Sequence, residues 1–143
     1  GEFHVNGHRP PLPFDDDAFD VVSTTSVFTH LDEIDQFLWL GELRRVLKPG
    51  GVLLASVHGR ECVRHYPSWV RRRIAEKGFV YARTDAESKW FPSWYQVAWH
   101  SREYIDREWS RLFSIRDYLP QAINGYQDLV VAQKQTVSAL RAA

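Results

Sequence analysis

Two histidines occupy positions where a side chain could exchange a proton with a bound molecule. His30 follows the predicted strand Phe19–Thr25, and His58 follows the predicted strand Val52–Val57. Ligands of open α/β sheets bind beyond the carboxyl ends of the strands, and imidazole titrates near neutral pH. We therefore predict that His30 is the catalytic residue. The alternative is that His30 starts a helix and bonds only to backbone, as we expect for His100, which precedes a predicted helix.

Aromatic side chains are concentrated between His58 and His100. Aromatic faces bind ring-shaped molecules, so this stretch could form the wall of a ligand pocket over the sheet. Packing of the same rings against one another in a lid is the alternative, and we expect it for most of them. The residues are Tyr66, Trp69, Phe79, Tyr81, Trp90, Phe91, Trp94, Tyr95 and Trp99.

The overall charge is balanced, but it is unevenly distributed along the chain. Eighteen basic and 18 acidic side chains give no global field that would attract nucleic acid or an anionic surface. Residues 1–35 contain eight acids and one base, whereas residues 60–77 contain six bases and two acids. This asymmetry could shape the mouth of a site. We interpret Arg71, Arg72 and Arg73 as a solvated helix face, because consecutive helical side chains point in different directions.

Metal and membrane binding are not expected. Cys62 is the only cysteine, so the chain can form neither an intrachain disulfide nor a thiolate cluster for zinc. A reducing compartment, the cytoplasm, is the simplest assignment. Asp15–Asp17 lack neighbours that would complete a carboxylate cage, and no apolar run could span a bilayer. The sequence begins at Gly1 and contains no methionine, so we expect its natural start to be missing.

The first half of the chain predicts a strand, a helix and a second strand. Between Phe19–Thr25 and Val52–Val57, apolar residues recur every three or four positions, which predicts a helix over Glu33–Leu47 with Asp32 as its N-cap. Lys48-Pro49-Gly50-Gly51 ends this helix, so a right-handed parallel crossover is expected. The expected apolar face of the helix consists of Ile34, Phe37, Leu40, Leu43 and Leu47.

The end of the chain predicts an antiparallel hairpin. Strand patterns at Ser114–Ile123 and Gln127–Lys134 flank Asn124-Gly125, a residue pair that tight hairpins favour. We interpret residues 1–134 as one α/β domain followed by a tail at 135–143, with residues 59–100 as an aromatic-rich insertion or lid.

Shorter elements are predicted elsewhere. Ser68–Lys77 is expected to form a helix closed by Gly78, and Ser101 is expected to cap a helix that extends to Leu112. Phe3–Val5 is interpreted as the end of a further strand.

Four blocks of residues occur in a characteristic order and spacing. They are Leu-Pro-Phe at 12–14, Phe-Asp-Val-Val at 19–22, Ser-Val-Phe-Thr-His-Leu at 26–31 and Glu-Leu-Arg-Arg-Val-Leu-Lys-Pro-Gly-Gly at 42–51. The series resembles the middle of the class I, Rossmann-like, S-adenosylmethionine-dependent methyltransferases. Trp-His-Ser at 99–101, Glu-Tyr at 103–104 and Gln-Asp-Leu-Val-Val at 127–131 resemble the tail of one bacterial branch of that family. The resemblance therefore covers nearly the whole chain.

The resemblance implies a fold, a cofactor and a set of binding residues. The expected fold is a partial Rossmann-like methyltransferase sheet, mostly parallel with an antiparallel C-terminal hairpin and flanked by helices. The implied cofactor is S-adenosylmethionine. Its adenine would pass Asn6, Gly7 and His8, and its methionine part would lie against Ser23, Thr24, Thr25 and Ser26. The alternatives are an ordinary turn at Asn6-Gly7 and strand-end hydroxyls that are satisfied within the fold.

Two features of the family have no counterpart in this sequence. The family's glycine-rich turn lets the backbone approach the cofactor, and an acidic residue binds the ribose, but no Gly-x-Gly occurs here. The chain thus resembles the C-terminal portion of such an enzyme. We expect four main strands, with one edge of Phe19–Thr25 lacking its family neighbour. That edge would pair with a second chain to give a homodimer, be covered by the N-terminal segment, or reflect an incomplete gene product.

The predicted function is methyl transfer from S-adenosylmethionine to a small-molecule or sugar acceptor in the full-length protein, without nucleic-acid or membrane partners. The reaction is an in-line displacement, so the protein mainly aligns the reactants. For a hydroxyl acceptor it must also remove a proton, which is the role predicted for His30. The alternative is a non-catalytic binding or structural fragment that keeps the fold without binding the cofactor.

Overall fold

The computed structural model of the chain describes residues 1–83, 91–92 and 95–136. Short 3-10 turns lie at Phe28–His30 and Trp109–Arg111. The helices and longer strands, in chain order, are β1 (Phe19–Thr24), α1 (Glu33–Val46), β2 (Leu47–Val57), α2 (Arg60–Val63), α3 (Ser68–Lys77), β3 (Phe79–Ala82), β4 (Val97–His100), α4 (Arg102–Glu108), β5 (Ser114–Ile123) and β6 (Gln127–Gln133).

The main sheet has four strands in the spatial order β1, β2, β6, β5. β1 runs parallel to β2, with Val22 opposite Leu53, and α1 connects the two strands. β6 is antiparallel to both β2 and β5, so the C-terminal hairpin belongs to the same sheet. The predicted neighbouring parallel strands and the reversed hairpin are therefore confirmed. The result is a mixed sheet with one parallel pair and two antiparallel pairs.

The predicted ends of several elements are also confirmed. The Asp32 side chain caps α1 by accepting a hydrogen bond from the Asp35 N–H at 2.8 Å. The Ser101 hydroxyl caps α4 in the same way, although the regular helix ends at Glu108 and only a 3-10 turn continues toward Leu112. Gly78 closes α3 with φ 78°, a left-handed conformation that favours glycine. Asn124 and Gly125 both have positive φ in the hairpin turn.

The predicted apolar face of α1 is only partly correct. Leu40 and Leu43 are buried, whereas Ile34 is 68% exposed. Hydrogen bonds rather than apolar spacing set the rotation of the helix, because buried Asp35 and Glu42 turn toward the N-terminal segment. Glu42 accepts a hydrogen bond from the Leu12 N–H at 2.7 Å, and Asp35 forms an ion pair with Arg9 at 2.6 Å.

Two further expectations are corrected. Phe3–Val5 is not a strand: the Phe3 and Val5 side chains are 97% and 103% exposed, and no strand of the described residues pairs with them. Residues 59–100 contain a second sheet that was not predicted, in which β3 and β4 pair antiparallel. This small sheet packs with α2 and α3 around Val70 and Trp99 in a core of its own.

The main core lies between the sheet and the helices α1 and α4, with Leu40, Val57 and Trp109 among its buried side chains. β1 lies at the edge of the sheet and pairs only with β2 among the described residues. Val21 on this strand is 55% exposed. The N-terminal segment therefore leaves this edge of the sheet accessible.

Candidate functional site

Three polar side chains meet where β1 and β2 end and β6 begins. The Ser26 N–H donates to the Ser56 hydroxyl oxygen at 2.8 Å, and the Gln127 side-chain amide donates to the Ser26 hydroxyl oxygen at 3.0 Å. Ser26 has φ 58°, so the chain turns sharply as it leaves β1. These contacts fix the segment after β1 against the end of β2 and the start of β6, at the end of the sheet where ligands of α/β sheets bind.

His30 lies just beyond this turn and is held on two sides. Its Nδ1 is 2.9 Å from the Gln96 carbonyl oxygen, and its ring stacks on Tyr95 with the ring centres 4.0 Å apart. A carbonyl oxygen can only accept, so Nδ1 carries a hydrogen, and in the neutral form of the ring the lone pair lies on Nε2. His30 is therefore a partly buried imidazole in the tautomer that a proton acceptor requires.

His58 lies next to His30, with the ring centres 6.2 Å apart. Burial and, to a smaller extent, the neighbouring His30 lower the pKa of His58 to about 4, so this histidine is neutral at physiological pH. Its Nδ1 is buried and has no hydrogen-bond partner among the described residues. The structure thus brings together the two histidines that follow β1 and β2.

His100 does not anchor the helix start as expected, because Ser101 performs that role. Instead His100 is the fully buried last residue of β4, with Nε2 3.0 Å from the Gln36 side-chain oxygen. Burial lowers its pKa to about 3. His100 is therefore a neutral core residue in contact with α1.

The predicted cofactor residues on β1 differ in their surroundings. Ser23, Thr25 and Ser26 are exposed, whereas Thr24 is half-buried. The Thr24 hydroxyl oxygen is shielded from solvent and has no hydrogen-bond partner among the described residues. An unpaired buried hydroxyl is costly, so a polar group bound beside the end of β1 would satisfy it.

Asn6, Gly7 and His8 lie beside the start of α1. His8 Nε2 is 2.7 Å from an Asp35 carboxylate oxygen, and the His8 carbonyl accepts a hydrogen bond from the Trp39 indole at 3.0 Å. Asn6 and Gly7 are exposed. α1 begins at the end of the sheet where β1 ends. Residues 6–8 therefore lie at the same end of the sheet as Ser23–Ser26.

The aromatic stretch is used mainly for packing. Trp99 is fully buried, and Tyr66 packs edge-on against it. Tyr95, which stacks on His30, in turn stacks on Phe91 with ring centres 4.4 Å apart. Within the described part of this stretch, Tyr95 thus contacts the candidate site. The predictions for Trp90 and Trp94 lie outside the described residues.

A buried carboxylate at the same edge of the sheet was missed by the sequence analysis. Asp128 is 2% exposed, accepts a hydrogen bond from the Tyr118 hydroxyl at 2.6 Å and accepts another from the Gln121 N–H at 2.9 Å. Burial, followed by the bond to Asp128, raises the pKa of Tyr118 well above its ordinary value. The predicted hairpin was the only sequence feature that indicated the position of Asp128, because it places the start of β6 opposite the end of β5.

Neither a metal-binding cluster nor a membrane-spanning helix occurs among the described residues. Within residues 1–83, 91–92 and 95–136, no three His, Cys, Asp or Glu side chains gather into a group that could hold a metal ion. Within the same ranges, no helix has the length and apolar character needed to cross a bilayer.

Comparison with known proteins identifies sequence similarity in the first third of the chain. A family model described as a methyltransferase domain matches residues 3–55. The mitochondrial 2-methoxy-6-polyprenyl-1,4-benzoquinol methylase of Mus musculus is 45% identical over 56 residues, which are 39% of this chain. The chain spans only 16% of the length of that relative.

Solved structures extend the similarity to most of the chain. An S-adenosylmethionine-dependent methyltransferase from Methanosarcina mazei matches 94% of this chain and 68% of its own length, with a TM-score of 0.65 and 21% identity. The 1,6-didemethyltoxoflavin N1-methyltransferase of Burkholderia thailandensis, solved with 1,6-didemethyltoxoflavin and S-adenosylhomocysteine, matches 86% of this chain and 46% of its own length, with a TM-score of 0.57 and 14% identity. Together with the mixed sheet, these similarities show that the chain has the class I methyltransferase fold.

Proposed function

We propose that this chain takes part in methyl transfer from S-adenosylmethionine to a small-molecule or sugar acceptor, in the cytoplasm that its single cysteine favours. The main support is the arrangement at the ends of β1 and β2. There Ser26 is bonded to Ser56, and His30 and His58 lie side by side. This edge combines polar groups for a cofactor with an imidazole for proton removal.

The residues at the end of β1 fit one part of the cofactor. Thr24 offers a buried, unpaired hydroxyl, and Ser23 and Ser26 offer exposed ones, so these residues would hold the methionine part. Asn6, Gly7 and His8 would lie along the adenine. S-adenosylmethionine, when bound, supplies an activated methyl group on a sulfonium.

His30 is the proposed proton acceptor. Donation from Nδ1 to the Gln96 carbonyl orients the ring and keeps the lone pair on Nε2, while Tyr95 holds the ring by stacking. His30 Nε2 would take the proton of an acceptor hydroxyl as the methyl group passes from the cofactor sulfur to the hydroxyl oxygen. His58 is less suited to this role because burial lowers its pKa to about 4.

Titration calorimetry with S-adenosylhomocysteine tests the proposed cofactor site. We expect saturable binding, and Thr24→Val should weaken it by about tenfold, since this near-isosteric change removes one hydrogen-bonding hydroxyl. Thr136→Val is the matched control. Thr136 is exposed and follows β6, whose last residues lie beside the start of β2, at the end of the sheet away from Thr24.

The titration also separates methyl transfer from the alternative of a non-catalytic structural fragment. Saturable binding that depends on Thr24 supports the cofactor site. Absence of binding at millimolar S-adenosylhomocysteine, in a protein shown to be folded, would instead favour the structural role.

A further inference from the structure

A large cleft is formed where α2, α3 and α4 meet the C-terminal hairpin. Its volume is about 900 Å³, and its walls are α2, α3 and the start of α4, with Tyr118 and Asp128 from β5 and β6 at its base. Neither His30 nor Ser23–Ser26 lines it. The cleft is thus separate from the proposed cofactor site. The two are linked through the chain, because His58 and Gly59 connect β2 to α2, which lines the cleft.

Basic side chains outnumber acidic ones around this cleft. Among the described residues, the acids that line it are Glu61, Glu76, Glu103 and Asp128. Six basic residues also line it, namely Arg60, Arg64, Arg71, Lys77, Arg102 and Arg107. A concave surface of one dominant charge focuses the electrostatic field and attracts ions of the opposite charge.

Most of the acids are already engaged within the protein. Glu61 forms an ion pair with Arg64 at 2.6 Å, and Asp128 accepts the bonds from Tyr118 and Gln121. Hydrogen bonds from its own N–H and from Ser101, with smaller effects of Arg60 and Arg102, lower the pKa of Glu103. Glu76 remains as the acid that opposes an anion in the cleft.

The basic groups, in contrast, retain unused donors. Arg60 and Lys77 form no hydrogen bond or ion pair within the described part of the chain. Arg102 and Arg107 use only Nε for their bonds to Asp106 and Glu108. Both residues line the cleft, and their guanidinium groups lie over the rings of Tyr118 and Tyr104 at 4.9 Å and 5.9 Å. Their terminal nitrogens keep N–H donors that could bind a planar anion in a bidentate manner.

Arg60 and Arg102 line the cleft from different helices, Arg60 from α2 and Arg102 from α4, together with Glu103. Two cations and one already engaged carboxylate leave net positive charge at this wall, which a bound anion would balance.

We propose that this cleft binds an anionic small molecule through a phosphate or carboxylate group held by Arg60, Arg102 and Arg107. Lys77 contributes a further positive charge to its wall. The site is independent of the proposed methyl transfer, because neither S-adenosylmethionine nor His30 takes part in it.

Calorimetric titration with pyrophosphate and, separately, with citrate tests the proposal on the wild-type protein at low salt. We expect saturable binding of at least one anion, weakening as salt is raised. Preference for pyrophosphate would identify a phosphate site and preference for citrate a carboxylate site. Absence of saturable binding of both at millimolar concentrations overturns the proposal.

Variants of single charges locate the site. Arg60→Gln and Arg107→Gln should each weaken binding by about tenfold, as expected for the loss of one charged hydrogen-bond partner. Glu76→Gln should strengthen it. Arg72→Gln is the matched control, because Arg72 is exposed on α3 and does not line the cleft. An equal loss in Arg60→Gln and Arg72→Gln would mean diffuse attraction to the surface and would overturn the proposal.

Discussion

At Gly59 the backbone passes very close to a buried side chain. A Cβ atom at this position would lie 1.6 Å from an Asp128 carboxylate oxygen and 2.7 Å from the Tyr118 hydroxyl oxygen. Both partners are buried and bonded to each other, so neither can move away without breaking that bond. The hydrogen bond between Tyr118 and Asp128 therefore requires glycine at this position.

We therefore expect Gly59→Ala to lower the free energy of unfolding by at least 1–3 kcal/mol, roughly the range found for overpacked cores. Urea denaturation measures this change. Gly41→Ala is the matched control, because Gly41 is exposed on α1 with no atom within 4 Å of the added Cβ. Alanine favours the helix there, so the control should gain about 0.5–1 kcal/mol. Equal effects of the two variants would contradict the close contact.

The two buried histidines predict how stability depends on pH. Burial lowers the pKa of His58 from its ordinary value of 6.5 to about 4, and that of His100 to about 3. Below pH 6.5 the unfolded chain binds protons that the folded chain does not, so stability falls as the pH falls. Each histidine contributes about 1.4 kcal/mol per pH unit in this window.

Urea denaturation at pH 6.5 and pH 5 checks this expectation. His58→Gln should reduce the loss of stability between the two pH values by about 2 kcal/mol. His65→Gln should leave the loss unchanged, because His65 is exposed. An unaltered pH dependence in His58→Gln would show that His58 is not held neutral in the fold.

His30 is tested by its effect on the reaction. Replacement of a general base costs about 10²–10⁴ in rate, so His30→Ala should lower methyl transfer to hydroxylated aromatic and sugar acceptors within that range. S-adenosylhomocysteine binding should be preserved, which separates loss of proton transfer from loss of the cofactor. His4→Ala, in the exposed N-terminal segment, is the control. Full activity in His30→Ala would remove His30 from the mechanism.

Among the elements, those with local signals could be predicted and those fixed by distant contacts could not. Asp32 and Gly78 mark helix ends through their own side chain or backbone, and Asn124-Gly125 marks the hairpin turn. The rotation of α1 depends instead on bonds between Glu42 and Leu12, which are 30 positions apart. No periodicity within the helix contains that information, and Ile34 was therefore assigned to the wrong face.

The candidate site follows the same rule. His30 and Ser23–Ser26 were placed correctly at a strand end because the strand pattern itself is local. The contacts of His30 with Tyr95 and Gln96 could not be predicted in this way, because they join residues more than 60 positions apart. The hydrogen bond to Gln96 alone spans 66 positions. The β3–β4 pairing similarly joins two short strands whose four-residue length gives a weak pattern.

The N-cap of α1 gives a prediction at this scale. Asp32→Ala should lower the free energy of unfolding by about 1 kcal/mol, because the Asp35 N–H loses its partner. Thermal denaturation would show the loss. Asp15→Ala, an exposed aspartate in the preceding loop, should have little effect. Similar shifts in both variants would indicate a general charge effect.

At the scale of the whole molecule, the exposed edge of β1 should promote self-association. The unpaired strand edge and exposed Val21 adjoin a small apolar depression formed with Leu12, Phe14 and Phe19. Such edges pair with other strands unless they are covered or charged. We expect the 143-residue chain to dimerise as its concentration rises, as measured by analytical ultracentrifugation.

Val21→Lys should suppress this dimer, because a charge on the edge strand opposes pairing. Ile34→Lys is the matched control: Ile34 is similarly exposed, but it lies on α1 away from the strand edge. A chain that stays monomeric at all concentrations, or equal effects of the two variants, would contradict association through β1.

The position of β6 has a consequence for the order of assembly. Among the described strands, β6 comes last in sequence yet lies between β2 and β5, so β5 pairs with no other strand of the sheet until β6 is in place. During synthesis, the ribosome must release residues 127–133 before the hairpin can join β2. Such late, long-range pairing slows folding and leaves one side of β2 open in the nascent chain. A chain that stops before Gln127 would thus lose two strands of the sheet rather than one.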